Sequence, residues 1–166
     1  SRPRILVWAS DFTYVKVNGR DNYLCVVLDL FSRRVIGWHT ASRHNTDLTM
    51  TAFKKAYGSR GCPQNVLFHS DRGSGYTSYK FLQLLDECSC LPSFSKKGCP
   101  YDNACLESFF KQMKREELNR RTFHSLEEFR LSCFKYIERY NNRRPHSSLG
   151  NLMPVEVENK YWSGQN

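Results

Sequence analysis

Three acidic residues lie where an isolated carboxylate is unexpected, and together they suggest metal-dependent chemistry. Asp11 interrupts a strand-like segment, Asp71 directly follows a short apolar segment, and Glu107 falls in a helical pattern. A buried carboxylate is costly without a partner or a cation, and three carboxylates held together repel one another. Magnesium accepts oxygen ligands and removes that repulsion. Two such ions about 4 Å apart can activate a nucleophile and stabilise the leaving oxygen of a phosphodiester.

Asp29 is the main alternative to Asp11, because it also interrupts an apolar strand. Arg33 and Arg34 follow it across a predicted turn. We therefore interpret Asp29 as the acidic half of an ordinary ion pair. Most of the remaining acidic residues fall in turns or on polar helix faces.

The order of predicted elements indicates how the three acids could be positioned. Residues 5–17, 22–31 and 35–41 read as strands of an antiparallel meander, with Asn18-Gly19 as a hairpin turn. Further along, helices and short strands alternate. The predicted elements are a helix from Thr46 or Asp47 to about Tyr57, a strand at 65–70, a helix opened by Ser78, an edge strand at 91–96, a helix at 103–117 capped by Asp102, and a helix opened by Ser125. The sequence thus predicts a mixed α/β sheet of five strands flanked by helices.

Length and composition favour a single domain that binds a polyanion. The 166 residues carry a formal net charge of +9, which favours nucleic acid as a partner. No apolar run is long enough for a membrane span. The seven cysteines form no CxxC pair, which favours buried, reduced thiols over a zinc site. The missing initial Met suggests a fragment. We expect one domain over residues 1–166, with 143–166 as a loop-rich tail.

Five sequence blocks resemble the catalytic core of bacterial insertion-sequence transposases in the retroviral-integrase superfamily. The blocks are WASDFTY (8–14), LDLFSRRVIGW (28–38), HSDRGSGYTS (69–78), YDNACLESFFKQMKRE (101–116) and YNNRRPHSSLG (140–150). The acid–acid–glutamate signature of that family places 35 residues between its second acid and its glutamate. Here 35 residues separate Asp71 from Glu107.

The resemblance implies a ribonuclease H-like fold and a specific activity. It assigns Asp11, Asp71 and Glu107 as catalytic residues and as ligands of two Mg²⁺ (or Mn²⁺) ions. Water or a 3′-hydroxyl would then attack DNA, first nicking the element's end and then joining it to a target duplex. A homodimer or higher multimer, in the bacterial cytoplasm, is expected. The alternatives are a ribonuclease H-like nuclease that joins nothing and a decayed remnant that only binds DNA.

One position departs from the family pattern. The family usually has Gln before the Tyr of the HSDRGS block, and this chain has Gly75. We therefore expect no side-chain contact to DNA from position 75 and a looser, flexible loop over residues 72–75.

Several basic and polar residues are candidates for DNA contact. Lys111 and Lys114 follow Glu107 on its helix face, and Asn103 precedes it by one turn. We expect the lysines to contact phosphates; the alternative is a solvated helix face.

Two further groups of residues leave alternatives open. For Arg143, Arg144 and His146, DNA contact and a structural loop clamp are equally compatible with the sequence. Tyr14, Tyr76 and Phe94 could stack on bases, although aromatic residues more often fill the core.

Overall fold

A five-stranded sheet forms the centre of the computed structural model, which describes residues 6–95 and 103–142. The strands are β1 (Val7–Val17), β2 (Arg20–Asp29), β3 (Val35–Ala41), β4 (Leu67–Ser70) and β5 (Leu91–Phe94). Their order across the sheet is β3-β2-β1-β4-β5. The first three strands pair antiparallel, whereas β4 pairs parallel with β1 and with β5. The predicted mixed sheet with a three-strand meander is confirmed.

The β1–β2 hairpin follows from its turn residues. Asn18 and Gly19 both have positive φ, 49° and 75°, which is the backbone that a tight two-residue hairpin turn requires. The strands pair in register from Trp8 opposite Asp29 to Val17 opposite Arg20. β1 therefore continues well beyond its pairing with β4, which ends at Ala9.

Strand position in the sheet agrees with strand composition. The run from Leu24 to Leu28 is buried throughout, because β2 is covered on both faces. β5, which contains Pro92, is an edge strand as predicted. At the other edge, Asn141 hydrogen bonds to both backbone groups of Val35, at 2.9 and 3.0 Å.

Helices cover both faces of the sheet, and each face has its own apolar core. The helices are α1 (Thr46–Ser59), α2 (Ser74–Thr77), α3 (Tyr79–Glu87), α4 (Ala104–Glu116) and α5 (Leu126–Asn142), with a 3₁₀ turn at Leu118–Arg120. Ala9 and Val26 pack with apolar residues of α4 and α5. Trp8 and Val27 pack with apolar residues of α1 and α3. Neighbouring residues of one strand therefore face different helical layers.

Some predicted helix starts are confirmed and others are wrong. Ser78 accepts a hydrogen bond from the Phe81 backbone N–H, and Ser125 accepts one from Glu128, as predicted. α1 instead follows an extended Asn45 in the cap position, not Thr46 or Asp47.

The start of α4 and the segment after β4 also differ from expectation. Asn103, and not Asp102, occupies the cap position of α4; Asp102 itself lies outside the described residues. The expected flexible loop at residues 72–75 is wrong in its second half, where Ser74–Thr77 forms α2. The 3₁₀ turn was not anticipated either.

The cysteines match the prediction in part. Cys25 and Cys133 are buried thiols, and burial raises the pKa of Cys25 to about 11. Cys62 is exposed, contrary to expectation. Across the described ranges, every helix is too short or too polar to cross a lipid bilayer.

Candidate active site

Parallel pairing of β1 and β4 brings Asp11 and Asp71 past the same end of the paired segment. Ala9 pairs with His69, so Asp11 and Asp71 each lie two residues past this pair, Asp71 just beyond the end of β4. Neighbouring strands are about 4.8 Å apart, which places the two backbones side by side. Asp11 shares its face of β1 with Ala9, the face that α4 covers.

The Asp11 carboxylate lies in an environment that disfavours its charge. Burial raises the pKa of Asp11 to about 6, against one hydrogen bond from the Phe12 backbone N–H at 2.8 Å. The negative charges of Asp71 and then Glu107 raise the pKa of Asp11 further. These charges act on Asp11 because both carboxylates lie in its electrostatic neighbourhood.

Asp71 is oriented by the backbone that follows it. Its Oδ1 accepts a hydrogen bond from the Gly73 N–H at 2.8 Å, which closes a tight Asx-type turn after β4. α2 begins directly after this turn. The carboxylate is half-buried, with Arg72 exposed beside it.

Glu107 lies in the first turn of α4 and is exposed. The N-terminal end of a helix favours negative charge, because its backbone N–H groups are unpaired and the helix dipole is positive there. The packing of Leu106, Phe109 and Phe110 against the sheet fixes the orientation of α4. The helix therefore presents Glu107 on the side of the sheet that carries Asp11.

The three carboxylates do not form a closed ligand cage. Within residues 6–95 and 103–142, no group of three or more His, Cys, Asp and Glu side chains is arranged to hold a metal ion. The donor chemistry nevertheless fits a hard divalent cation: all three donors are carboxylates, and Asp11 is held where a nearby positive charge would stabilise it.

A buried polar cluster behind Asp11 was missed by the sequence interpretation. The Ser10 hydroxyl lies 2.9 Å from the Tyr76 hydroxyl and 3.5 Å from Cys25 Sγ. Tyr76 is fully buried, so it belongs to the core and does not stack on bases. In the sequence, Ser10 could have pointed to this cluster, because it is a polar residue in an apolar strand and shares the face of β1 that carries Trp8. The cluster ties α2, and with it the Asp71 loop, to β1.

Gly75 is tightly packed, contrary to the expected loosening. It is buried in α2, and a Cβ at this position would lie 2.9 Å from Thr49 Cγ2 of α1. The Thr49 hydroxyl donates to the Gly75 carbonyl at 2.6 Å. Thr49 thus occupies the space into which a side chain at position 75 would project.

Asp29 has a structural role, as the sequence suggested, and Arg60 lies near it. Its Oδ1 accepts from the Phe31 backbone N–H at 2.8 Å and so closes the turn after β2. The Asp29 Oδ2 atom lies 3.8 Å from a guanidinium nitrogen of Arg60, the residue that follows α1.

The predicted DNA-contact residues have different surroundings. Lys111 is exposed, and Lys114 Nζ lies 5.6 Å from the centre of the Tyr14 ring. The Asn103 amide donates to Ser95 Oγ at 3.3 Å, which ties the start of α4 to the end of β5. DNA contact by these three residues stays a prediction.

Two remaining sets of predicted residues are described only in part. Arg143, Arg144 and His146 lie outside the described residues. Phe94 is half-buried and lies beneath Arg72, whose guanidinium carbon is 6.0 Å from the ring centre.

Comparison with solved structures shows which fold this is. The catalytic core of HTLV-2 integrase, solved with magnesium in a dimeric form, superposes with a TM-score of 0.70 at 18% identity, covering 91% of this chain and 94% of that one. The catalytic core of BIV integrase superposes with a TM-score of 0.68 at 14% identity, covering 96% of this chain and 98% of that one. The fold is the ribonuclease H-like fold of integrase cores, as expected.

Sequence comparison identifies closer relatives. Transposase InsF for insertion sequence IS3A of Escherichia coli K12 is 44% identical over 92% of this chain and 54% of its own length. The transposase for insertion sequence element IS904 of Lactococcus lactis is 39% identical over 92% of this chain and 60% of its own length. The chain therefore spans little more than half the length of these relatives.

Two family models cover nearly the whole chain between them. Both are described as integrase core domain, and they match residues 4–100 and 89–154. The matched ranges include the strand of Asp11, the turn of Asp71 and the helix of Glu107. The chain belongs to the integrase core domain family, with bacterial insertion-sequence transposases among its relatives.

Proposed function

We propose that this chain is the catalytic core of a DNA transposase and that Asp11, Asp71 and Glu107 hold two divalent metal ions. The main support is the position of Asp11. Asp11 and Asp71 each lie two residues past the paired Ala9 and His69, and the pKa of Asp11 is raised to about 6 by burial together with the charges of Asp71 and Glu107. A cation beside Asp11 would offset both the burial and the repulsion and so favour the ionised carboxylate.

The carboxylates are suited to Mg²⁺ or Mn²⁺. Divalent ions bound there would supply activation of the attacking hydroxyl and stabilisation of the leaving oxygen of the DNA backbone. Asp11 and Asp71 come from adjacent strands and give the site its rigid side. Glu107 comes from a helix end and is exposed, so it can approach from the open side.

The substrates we propose are the end of a mobile element and a target duplex. In the first step water would attack the phosphodiester at the element's end, and the bond from phosphorus to the element's 3′ oxygen would break and free a 3′-hydroxyl. In the second step that hydroxyl would attack a target phosphodiester, and the 3′ oxygen of the target strand would leave. The net charge of +9 favours the DNA backbone as ligand. Lys111 and Lys114 extend from the helix of Glu107 and would meet the phosphates beside the reacting one. Two ends must be held together, so the active form is a dimer or higher multimer in the bacterial cytoplasm.

The test is strand transfer by the full chain, using a pre-cleaved element end, a labelled target duplex and Mg²⁺. We expect joined product from the wild type and none from Asp71→Asn or Glu107→Gln. Asp86→Asn, which changes an exposed carboxylate of α3, is the matched control and should behave as wild type. Full joining by Asp71→Asn would refute the assignment, and hydrolysis without joining by the wild type would favour a nuclease.

Metal binding can be tested separately from activity. Because the acids repel one another without a cation, Mg²⁺ or Mn²⁺ should raise the thermal midpoint of the wild type. The increase should be much smaller in Asp11→Asn, while Asp86→Asn should keep it. Equal increases in all three proteins would place metal binding elsewhere.

A further inference from the structure

A cluster of four aromatic rings lies at the surface, on the face of the sheet that α1 and α3 cover and that is opposite Asp11. Phe12, Tyr14, Tyr23 and His44, here termed the aromatic patch, contact one another in a chain. The ring centres of Phe12 and His44 are 4.2 Å apart, those of Tyr23 and His44 are 5.4 Å apart, and those of Tyr14 and Tyr23 are 6.3 Å apart. Phe12 and Tyr23 are half-buried, whereas His44 is exposed.

Tyr14 is the most accessible tyrosine of the patch. Its side chain is 54% exposed, although it lies within a long strand. Tyr23, its direct partner across the β1–β2 ladder, supports the ring from one side. The exposed ring is thus held in place, which lowers the entropy that a binding partner must remove.

The patch is connected to the carboxylates around the side of β1. Tyr14 follows Asp11 by three residues, about 10 Å along the strand, and by strand alternation its side chain projects from the opposite face of the sheet. Pairing with β4 ends at Ala9, so a DNA strand could pass from one face to the other there, where Lys114 of the Glu107 helix reaches the Tyr14 ring. Successive bases of stacked DNA are about 3.4 Å apart. A phosphate at Asp11 and a base at Tyr14 would therefore belong to nucleotides only a few positions apart.

Positive charge accompanies the rings. Lys114 Nζ lies 5.6 Å from the centre of the Tyr14 ring, and Lys114 belongs to the helix of Glu107. Exposed Arg43 directly precedes His44. Aromatic rings combined with cations are the usual surface for single-stranded nucleic acid, in which a base stacks on the ring and the cation meets the phosphate.

We propose that the aromatic patch binds an unpaired nucleotide of the DNA strand next to the reacting phosphate, with the base stacked on Tyr14 and the adjoining phosphate at Lys114. This inference rests on the proposed function and adds to it the form of the substrate. A base inside a duplex is stacked on both faces and has none free for the ring, so the ligand is frayed or single-stranded DNA. Fully paired duplex would meet only the cations.

The test uses the full chain and DNA carrying 2-aminopurine, whose fluorescence falls on stacking. The probe is placed in a short unpaired flank of a frayed duplex, and a fully paired duplex of the same sequence serves as comparison. We expect quenching of the unpaired probe by the wild type and by Tyr14→Phe. Tyr14→Leu should lose the quenching and about tenfold in affinity for the frayed duplex, with unchanged affinity for the paired one.

Phe31→Leu is the matched control, because Phe31 is 43% exposed and lies past the opposite end of β1. It should bind both DNAs as wild type does. The proposal is overturned if the wild type fails to quench the unpaired probe, or if Tyr14→Leu weakens binding of frayed and paired DNA equally. Strand transfer by the wild type is measured alongside: joining without a stacking effect refutes only the patch, whereas no joining counts against the proposed function.

Discussion

The Tyr76 hydroxyl lies 2.9 Å from the Ser10 hydroxyl, and this contact joins the helix that follows Asp71 to the strand that carries Asp11. The two residues are 66 positions apart in the chain. Both side chains are buried, with Cys25 Sγ 3.6 Å from the Tyr76 oxygen. A buried hydroxyl without its partner is unfavourable, so this bond links the two halves of the site firmly.

We expect Tyr76→Phe to lower the free energy of unfolding by about 1–2 kcal/mol, because it leaves the Ser10 hydroxyl with a poorer partner. Urea denaturation measures this. Tyr79→Phe removes a hydroxyl from a tyrosine that is 80% exposed and should change stability by less than about 0.5 kcal/mol. In a double-mutant cycle with Ser10→Ala, a coupling energy near zero would show that the contact contributes nothing.

Packing between α1 and α2 gives a second prediction. A Cβ at position 75 would lie 2.9 Å from Thr49 Cγ2, so Gly75→Ala should destabilise the protein by about 1–3 kcal/mol. Gly75→Gln, which introduces the usual residue of the family, should destabilise it at least as much. Gly58→Ala in α1 is the control, since a Cβ at position 58 would meet nothing within 4 Å, and it should be neutral or stabilising.

The cause of that destabilisation can be isolated with a second substitution. Thr49→Ser removes Cγ2 and keeps the hydroxyl that donates to the Gly75 carbonyl. It should therefore restore much of the stability lost in Gly75→Ala, as measured by thermal denaturation. Losses that simply add in the double variant would show that Thr49 is not the obstacle.

Local sequence patterns were sufficient to predict most of the sheet. The Asn18-Gly19 turn fixes the hairpin, and Pro92 marks β5 as an edge, so both features are set by residues adjacent in the chain. α2 was missed because four residues that include a glycine carry no helical periodicity. It forms because Tyr76 is buried and Gly75 fits against Thr49, and both contacts depend on tertiary packing.

The candidate site also combines features that the sequence predicts with features that depend on tertiary packing. The acids could be selected from their placement and spacing, yet the side-by-side position of Asp11 and Asp71 results from parallel pairing between β1 and β4, which are distant in the chain. The surroundings of Asn103 could not be predicted, since its amide bonds to Ser95 of a separate element. Likewise, Tyr14 is exposed and Tyr76 is buried, and the sequence alone does not distinguish these two tyrosines.

His39 gives a prediction about pH. Burial lowers the pKa of His39 below 6.5, and the nearby Lys55 ammonium lowers it further. Because the folded state prefers the neutral imidazole, its contribution to stability is present above pH 6.5 and is lost as pH falls through the lowered pKa. We expect wild type to lose more stability than His39→Gln between about pH 7 and pH 5.

Two measurements check this assignment. In NMR titrations His39 should protonate at a lower pH than an unperturbed imidazole, and Lys55→Gln should raise its midpoint without restoring it fully. His124→Gln, at an exposed position, should follow the wild-type stability curve. Parallel curves for wild type and His39→Gln would mean that His39 does not contribute to the pH dependence.

The two lysines of α4 give the last prediction. Lys111 is exposed and Lys114 lies against the Tyr14 ring, both on the helix that begins near Glu107. Lysines that neutralise phosphates release counterions, so Lys111→Ala with Lys114→Ala should flatten the plot of log affinity for duplex DNA against log salt by roughly one to two units. The control, Lys54→Ala with Lys135→Ala, removes the same charge from exposed positions on α1 and α5 and should leave the slope nearly unchanged. Equal flattening in both variants would mean that only net charge matters, and an unchanged slope in the α4 variant would mean that these lysines form a solvated helix face.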